Sequence, residues 1–319
     1  MRDKPRVVAL EEHYIDTDLA QLLYGTRQDN LSELETRLLD VGGLRLEEMD
    51  EAGIDLQVLS HGAPGCQQLD PETAVRMSRQ TNDRLHLVVQ GNPARFAAFG
   101  ILPTPDPAAA ADELERVVTR LGFKGAMLHG LTHGRFIDDK RFWPIFERAE
   151  ALDVPLYLHP AYPSPAVAEV YYNDYSREFP ELLGPALGFT VETATQGVRL
   201  VLSGAFEKYP HLKFIIGHLG EGLPYLLWRI DESLSRSGNS RVAFRETFCK
   251  HFWLTTSGNF SDSALTCAIT EMGINRILFS VDWPYVDNRL GTTWLSTSAL
   301  SEEDKSKIFA GNAASLLKL

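Results

Sequence analysis

The sequence has few cysteines and no long apolar run. Its three cysteines, Cys66, Cys249 and Cys267, are widely spaced and form no CxxC pair, which argues against a disulfide framework or a cysteine-bound zinc ion. No window of about 18 uncharged apolar residues occurs, so no membrane span is predicted. The sequence also lacks the sustained apolar segment of a secretory signal before Glu11. We therefore expect a cytoplasmic protein.

An excess of basic residues is also missing. The formal net charge is -12, and the Lys and Arg residues are scattered among acidic ones. A nucleic-acid surface needs a basic stripe, so the composition argues against nucleic acid as a partner. Of the 319 residues, 44% are hydrophobic, which is enough for the core of one large α/β domain or of two ordinary ones.

What the sequence does contain is a regular alternation of short β-rich runs with longer helical patterns. The eight candidate strands are 7–13, 56–63, 96–103, 125–130, 155–160, 213–220, 252–259 and 277–284. The helical stretches carry start and stop signals, for example Asp106 and Pro107 before one helix and Gly122 after it. Such alternation implies parallel strands, and eight units in about 300 residues predict a single (β/α)8 TIM-type barrel domain covering residues 1–319.

Two details refine this fold prediction. A doubly wound open sheet would normally show a glycine-rich turn after its first strand, and "LEEHYID" at 10–16 contains none. Segment 161–187 is rich in proline, tyrosine and acidic residues and is long for a connection between a strand and a helix. We expect this segment to form a wall or lid over the mouth of the barrel.

Polar residues collect at the predicted strand ends, where the active site of a barrel enzyme lies. These ends carry Glu11, His13, His61, Thr104, His129, His159, His218, Asn259 and Asp282. Parallel strands are normally continuous apolar runs because both of their faces are covered. A carboxylate or an imidazole in such a place has to be paired, hydrogen-bonded or bound to metal.

The first strand offers the clearest pattern. Glu11 and His13 are two residues apart, so their side chains share one face of the strand, whereas Glu12 points to the other face. If the shared face is the barrel interior, this pair forms half of a metal site, and His159 and Asp282 supply the other half. Two imidazoles and two carboxylates suit one divalent ion such as Zn, Mn or Mg. Capping or core roles for the individual residues are the alternative.

The motif "GHLGEG" at 217–222 places His218 and Glu221 after the sixth strand. Glu221 could orient the imidazole for proton handling, or it could cap the helix that begins near Leu223. Arg229, on the same helix, is a candidate for an anion contact or a surface ion pair.

Three other residues are candidates for lining a substrate pocket because they lie at or just after predicted strand ends. They are His61, His129 and Tyr162. A role in the core or in a loop is the alternative for each of them.

Five stretches of the sequence resemble the motifs of a known family. The matching stretches are ALEEH at 9–13, YLHP at 157–160, GHLGEGLPYLLWRID at 217–231, LTTSGNF at 254–260 and ILFSVDWPY at 277–285. They are similar to the amidohydrolase-related metal-dependent decarboxylases of γ-resorcylate, 2,3-dihydroxybenzoate and 5-carboxyvanillate. The resemblance implies a distorted, amidohydrolase-like barrel, no organic cofactor, and a homodimer or homotetramer. It also implies one metal ion held by Glu11, His13, His159 and Asp282.

The implied reaction is the oxygen-independent loss of CO2 from an ortho-hydroxybenzoate. Protonation of the carbon that bears the carboxyl group avoids a high-energy aryl anion, and Asp282 is the implied acid, with His218 and Glu221 placed beside it. Enzymes of this group that act on γ-resorcylate carry an asparagine three residues after the WRID segment, where this chain has Leu234. This difference argues against γ-resorcylate and leaves other aromatic acids open.

A metal-dependent hydrolase of a lactone or amide is the alternative within enzymes, with Asp282 taking a proton from water. Hydrolases of the superfamily usually begin with His-x-His on the first strand and often add a carbamylated lysine. This chain has Glu-x-His there, and its predicted strand ends carry no lysine. The sequence therefore favours the decarboxylase. A non-catalytic barrel would lack part of the metal set, which this chain retains.

Overall fold

The computed structural model describes residues 5–25, 31–236 and 243–319. The β-strands in these residues, β1 to β9, are Val8–Tyr14, Leu56–His61, Phe96–Ala98, Gly100–Ile101, Ala126–His129, Pro155–His159, Lys213–Ile216, Phe252–Thr255 and Ile277–Leu278. The α-helices, α1 to α16, are Thr17–Tyr24, Glu33–Leu39, Gly43–Ala52, Pro71–Gly91, Pro107–Thr119, Trp143–Ala151, Pro165–Tyr171, Asn173–Ser176, Gly188–Leu202, Ala205–Lys208, Leu223–Arg236, Phe244–His251, Asp262–Met272, Asn288–Thr297, Glu302–Ser306 and Asn312–Leu317. Shorter turns are the 3-10 helices Lys140–Phe142, Pro180–Leu182 and Ile274–Arg276 and the π-helical Lys307–Gly311.

Local signals start α5 where the sequence predicts a helix. The Asp106 side chain accepts a hydrogen bond from the backbone N–H of Ala109, and Pro107 occupies the first turn of α5. Proline is favoured there because the first helical N–H groups have no partner within the helix. Most successive strands are separated by such helices, and neighbouring strands within a sheet pair in parallel.

The strands form a ring of parallel neighbours. β1 to β3 form one sheet and β4 to β9 a second sheet. Phe99, between β3 and β4, links the two sheets because its N–H donates to Leu59 O. On the other side, His13 N–H donates to Trp283 O at 2.7 Å and closes the ring. The predicted strand 96–103 is thus interrupted at Phe99, and the (β/α)8 barrel is confirmed.

The barrel interior is filled by a cluster of buried apolar side chains. It contains Val8 and Leu10 of β1 and inward residues of the other strands, together with Ala313 and Leu316 of α16. The alternate residues of β1 pack instead against the surrounding helices. Val8 lies at the start of β1 and belongs to the same cluster as Ala313 and Leu316 of α16. Helix α16 therefore covers the N-terminal end of the barrel, and the polar strand ends lie at the opposite end.

Three smaller expectations can be compared with the structure. Segment 161–187 is not one irregular loop, because α7, α8 and a 3-10 turn form within it. Cys66, Cys249 and Cys267 are all unpaired. Among the helices of the described ranges, none has the length and apolar character needed to cross a membrane.

Candidate active site

A β-bulge in β1 turns Glu11 and His13 toward the interior of the barrel. Between Ala9 and Glu12, β1 advances by three residues while its partner β2 advances by two. Leu10 faces the interior, so uninterrupted alternation would turn the next residue outward. The extra residue reverses the phase of the strand, as bulges beside active sites often do. The period-two rule therefore holds on each side of the bulge but not across it.

Four side chains converge at the carboxyl end of the barrel. Glu11 and His13 come from β1, His159 is the last residue of β6, and Asp282 follows β9. One potential ligand atom from each lies within 4.8 Å of the other three. His13 Nε2 is 3.2 Å from Asp282 Oδ1, and His159 Nε2 is 3.3 Å from Glu11 Oε1. The structure thus brings together the four residues that the sequence proposed as ligands.

Hydrogen bonds orient two of these groups. The Nδ1–H of His159 donates to Pro160 O at 2.7 Å, which leaves its Nε2 as the free lone pair on the side of the cluster. Glu11 Oε2 accepts hydrogen bonds from the hydroxyls of Tyr157 and Ser257. Its other oxygen, Oε1, is therefore the atom presented to the centre.

The cluster fits a divalent cation. Glu11 Oε1 and His13 Nε2 are buried and have no hydrogen-bond partner, which is costly unless a cation binds them. Burial raises the pKa of Glu11, but neighbouring imidazoles, His218 foremost, hold it well below its usual range. Burial lowers the pKa of His13, but Asp282 and Glu11 raise it to about 9. Two carboxylates thus favour positive charge here, and two nitrogen and two oxygen donors suit one metal ion.

His218 and Glu221 lie on a left-handed turn beside this cluster. Residues 218–222 have φ angles of 52°, 57°, 84°, 53° and 74°, a conformation that glycine adopts readily and other residues do not. Within the turn, His218 Nδ1 lies 2.7 Å from Glu221 Oε1, and the Thr190 hydroxyl donates to Glu221 Oε2. The left-handed turn thus places the His218–Glu221 pair so that His218 Nε2 lies 3.8 Å from Asp282 Oδ2. Such backbone conformations are found where the surrounding structure fixes them.

The neighbouring charged groups affect the protonation of His218 and of Asp282. Burial lowers the pKa of His218, but Glu221 and Glu11 raise it well above its ordinary value. Burial raises the pKa of Asp282, but the neighbouring imidazoles of His13 and His218 lower it. The surrounding groups thus favour the protonated form of His218 and the ionised form of Asp282. An imidazole and a carboxylate lie next to each other at the edge of the cluster.

His129 and His61 lie behind the cluster. The ring of His129 packs edge-on against His159, with centroids 5.2 Å apart, and its Nε2 lies 2.8 Å from His61 O. His61 directs Nδ1 to Gly62 O at 2.7 Å. Burial holds the pKa of His129 well below its ordinary value and that of His61 at about 4, so both are neutral. His129 thus contacts the site directly, whereas His61 supports His129 from outside.

Two of the proposed substrate contacts are at the surface. Tyr162 is 64% exposed and packs against the ring of Phe189. Arg229 is exposed on α11, and none of the ion pairs in residues 5–25, 31–236 and 243–319 involves it. Leu234 faces the opposite way, since it packs partly buried against the hydrophobic core. The structure therefore brings none of the three to the cluster within this chain, and substrate contacts by Tyr162 and Arg229 stay predictions.

The sequence interpretation missed the residues that hold Glu11. Tyr157 and Ser257 donate to it directly, and Thr255 lies 2.7 Å from both of their hydroxyl oxygens. The same spacing rule could have found them. Tyr157 lies two residues before His159 on β6, and Ser257 lies two residues after Thr255, so each pair shares a face.

Comparisons with known proteins give matches over most of this chain. The amidohydrolase family model matches residues 37–319. The γ-resorcylate decarboxylase of Polaromonas sp. (strain JS666 / ATCC BAA-500) is 41% identical over 325 residues, which cover 98% of this chain and 98% of that protein.

Solved structures give the same result. A dihydroxybenzoic acid decarboxylase from Polaromonas sp. JS666, with bound manganese and the inhibitor 2-nitroresorcinol, superposes with a TM-score of 0.91 at 40% identity, covering 99% of this chain and 98% of that one. The 5-carboxyvanillate decarboxylase from Sphingomonas paucimobilis has a TM-score of 0.91 at 34% identity, covering 99% and 100%.

Proposed function

Since this chain belongs to the amidohydrolase family, we propose that it is a metal-dependent, non-oxidative decarboxylase that releases CO2 from a hydroxybenzoate-type acid. One observation carries the proposal. His218, held by Glu221, lies with its Nε2 3.8 Å from Asp282 Oδ2 at the edge of a cluster suited to a divalent metal. Decarboxylation needs an acid at this place, whereas hydrolysis would need a base that takes a proton from water.

Glu11, His13, His159 and Asp282 would hold the metal ion. A bound divalent ion such as manganese would act as a Lewis acid that polarises the substrate. No organic cofactor is needed for this chemistry.

The chain's own residues supply the proton. Asp282 delivers it to the ring carbon that bears the carboxyl group, and His218 passes its Nε2 proton to Asp282. The C–C bond to the carboxyl group then breaks, its electron pair restores the aromatic ring, and CO2 leaves. The step consumes one proton and needs no oxidant. Glu221 keeps His218 oriented and protonated, because its carboxylate raises the pKa of that imidazole.

The test is a substrate panel with the manganese-loaded protein. The panel contains 2,6-dihydroxybenzoate, 2,3-dihydroxybenzoate, 5-carboxyvanillate and an aryl lactone, and CO2 and ultraviolet absorbance are followed. We expect CO2 from at least one hydroxybenzoate and none after metal removal or in His159→Ala. Lactone opening without CO2 release from any acid would instead establish the hydrolase.

A separate question is which hydroxybenzoate is the substrate. Relatives named γ-resorcylate decarboxylase make 2,6-dihydroxybenzoate the first acid to test. Leu234 argued against it, but this side chain packs against the core of its own chain and does not line the cluster. The lack of an asparagine side chain at position 234 therefore gives little reason to exclude 2,6-dihydroxybenzoate as a substrate.

A homo-oligomer and a lid complete the proposal. Tyr225 and Trp228, on the outer face of α11, are 82% and 65% exposed, which is unusual for neighbouring aromatic residues unless a partner covers them. A second copy of this chain would cover this face beside Arg229, and segment 161–187 would wall the site with Tyr162. Light scattering should give a dimer or tetramer for the wild type and a smaller species for Trp228→Asp. A monomeric wild type would contradict the oligomer. The expected location is the cytoplasm.

A further inference from the structure

Glu12 lies between two proposed metal ligands in the sequence but is not part of their cluster. The bulge in β1 turns its side chain to the outer side of the barrel wall, where it is fully buried. A buried carboxylate needs compensating hydrogen bonds or charges. Its partners therefore indicate what it does.

The carboxylate of Glu12 accepts hydrogen bonds from the backbone on both sides of Asp282. Its Oε1 accepts hydrogen bonds from the N–H of Val281 at 2.9 Å and from the Ser280 hydroxyl at 3.0 Å. Its Oε2 accepts a hydrogen bond from the N–H of Trp283 at 3.1 Å. The two oxygens thus hold the residue before Asp282 and the residue after it.

The segment around Asp282 needs such support. Asp282 has a φ of 76°, a left-handed conformation that persists only when the surrounding structure fixes it. The carbonyls of its two neighbours are held as well. Gly258 N–H donates to Val281 O at 3.0 Å, and His13 N–H donates to Trp283 O at 2.7 Å. Of these contacts, only those from Glu12 come from a single side chain that reaches both neighbours.

Arg45 belongs to the same buried network as Glu12 and is connected to it through Gln57. It is fully buried, and its guanidinium lies 3.9 Å from the centre of the Trp283 ring. It donates to His13 O at 2.5 Å and to Gln57 Oε1 at 3.1 Å, and Gln57 Nε2 lies 3.4 Å from Glu12 Oε2. The carboxylate thus belongs to a buried network that joins α3, β1, β2 and the segment after β9.

We propose that Glu12 is a positioning residue that fixes the backbone around Asp282 and so sets the distance of the Asp282 carboxylate from His13 and His218. A carboxylate suits this task because both of its oxygens accept hydrogen bonds. In glutamine, one of the two positions becomes an NH2 donor that would face a backbone N–H. One contact is then lost, and a buried donor is left unpaired.

The variant Glu12→Gln tests this role through metal affinity and kinetics. Titration with Mn²⁺, followed by the electron paramagnetic resonance signal of the free ion, should show a dissociation constant raised about tenfold. The kcat should fall by a similar factor, with a smaller change in KM, because substrate contacts remain. The first readout needs no substrate. The second rests on the proposed decarboxylase function, so wild-type inactivity with a raised dissociation constant would reject the function and keep the positioning role.

The matched control is Glu113→Gln. Glu113 is another buried glutamate, and it accepts hydrogen bonds from Asn82 and Arg116 between α4 and α5, away from the cluster. This variant should lose stability while keeping wild-type Mn²⁺ affinity and kcat. If Glu12→Gln does the same, Glu12 has a structural role only and the proposal is overturned.

A second variant covers the case in which Glu12→Gln does not fold. Glu12→Asp keeps the charge but shortens the side chain by one carbon, so it cannot reach both neighbours of Asp282 at once. We expect a smaller rise of the Mn²⁺ dissociation constant, by about threefold to fivefold. An unchanged dissociation constant in a folded Glu12→Asp protein would reject the proposal.

Discussion

The two sides of the candidate site are built differently. The strand side consists of Glu11, His13 and His159, and the turn side consists of His218, Glu221 and Asp282. The strand side is buried and lies on parallel strands, whose register fixes the spacing of its atoms. All three residues of the turn side have positive φ angles, and His218 and Asp282 remain partly exposed, at 25% and 17% of their side chains.

The difference indicates a division of tasks. Paired strands hold three of the four proposed ligands at constant distances, which a metal site requires. The turns place a histidine and two carboxylates where regular backbone does not reach, and the strain is offset by hydrogen bonds from neighbouring elements. If this account is right, damage to the strand side removes the metal, whereas damage to the His218–Glu221 pair of the turn side leaves the metal and removes proton transfer.

The largest effect is expected for Glu11→Gln on the strand side. The substitution removes the negative charge that faces the centre, so Mn²⁺ affinity should fall more than about 100-fold and activity should disappear. Metal content after gel filtration, measured by mass spectrometry, checks this. Glu113→Gln, a buried acid outside the site, serves as the control and should retain its metal. Full metal content in Glu11→Gln would remove this residue from the ligand set.

On the turn side, His218→Asn should separate metal binding from catalysis. The variant loses the proton donor, so kcat should fall by about 100- to 10,000-fold. Its Mn²⁺ content should stay near that of the wild type, because the ligand atoms come from other residues. Steady-state kinetics and metal analysis of the same preparation give both values. Loss of metal together with activity would mean that the two sides are not independent.

Glu221→Gln should move the pH dependence. Glu221 raises the pKa of His218, so its removal lowers that pKa. Activity that needs protonated His218 is lost as the pH rises through this pKa, and the alkaline decline should therefore shift to lower pH. The His218–Glu221 pair also contributes to the free energy of unfolding. This contribution is fully present below about pH 6.5, the ordinary pKa of histidine, and is lost as the pH rises above the raised pKa of His218. An unshifted pH–rate profile would contradict the pairing.

The smallest effects are expected for two glycines of the turn. A Cβ at Gly220, where φ is 84°, would lie 3.0 Å from atoms of Leu254 and Pro224, whereas a Cβ at Gly222, where φ is 74°, would meet nothing within 4 Å. Gly222→Ala should lower the free energy of unfolding by about 1 kcal/mol from the backbone alone. Gly220→Ala should lose about 2–3 kcal/mol because packing strain adds to it. Urea unfolding measures both, and equal losses would contradict the packing argument.

The sequence allowed most of the strand side to be predicted. Alternation of strands and helices identified the barrel, which is confirmed, and the resemblance to the metal-dependent decarboxylases is confirmed by the relatives. Glu11 and His13 were placed on one face by their spacing. The reason that this face is the interior is the β-bulge, which depends on pairing with β2 and cannot be read from β1 alone.

The turn side was harder to predict for a physical reason. The glycines of "GHLGEG" indicated a tight turn, but not that His218 and Glu221 themselves would adopt left-handed conformations. Such conformations are decided by contacts with distant segments, for example the hydrogen bond from Leu219 N–H to Thr255 O. The same holds for Glu12, whose partners near residue 282 are remote in the sequence.

The most direct test of the central claim uses 2,6-dihydroxybenzoate labelled with carbon-13 in its carboxyl group. The labelled CO2 and the remaining acid are measured together with manganese-loaded and metal-free protein. The account predicts one labelled CO2 for each acid molecule consumed, only with the metal, and no oxygen uptake. Release of labelled CO2 at the same rate from metal-free protein, or from Glu11→Gln, would contradict a metal-dependent decarboxylase built on this cluster.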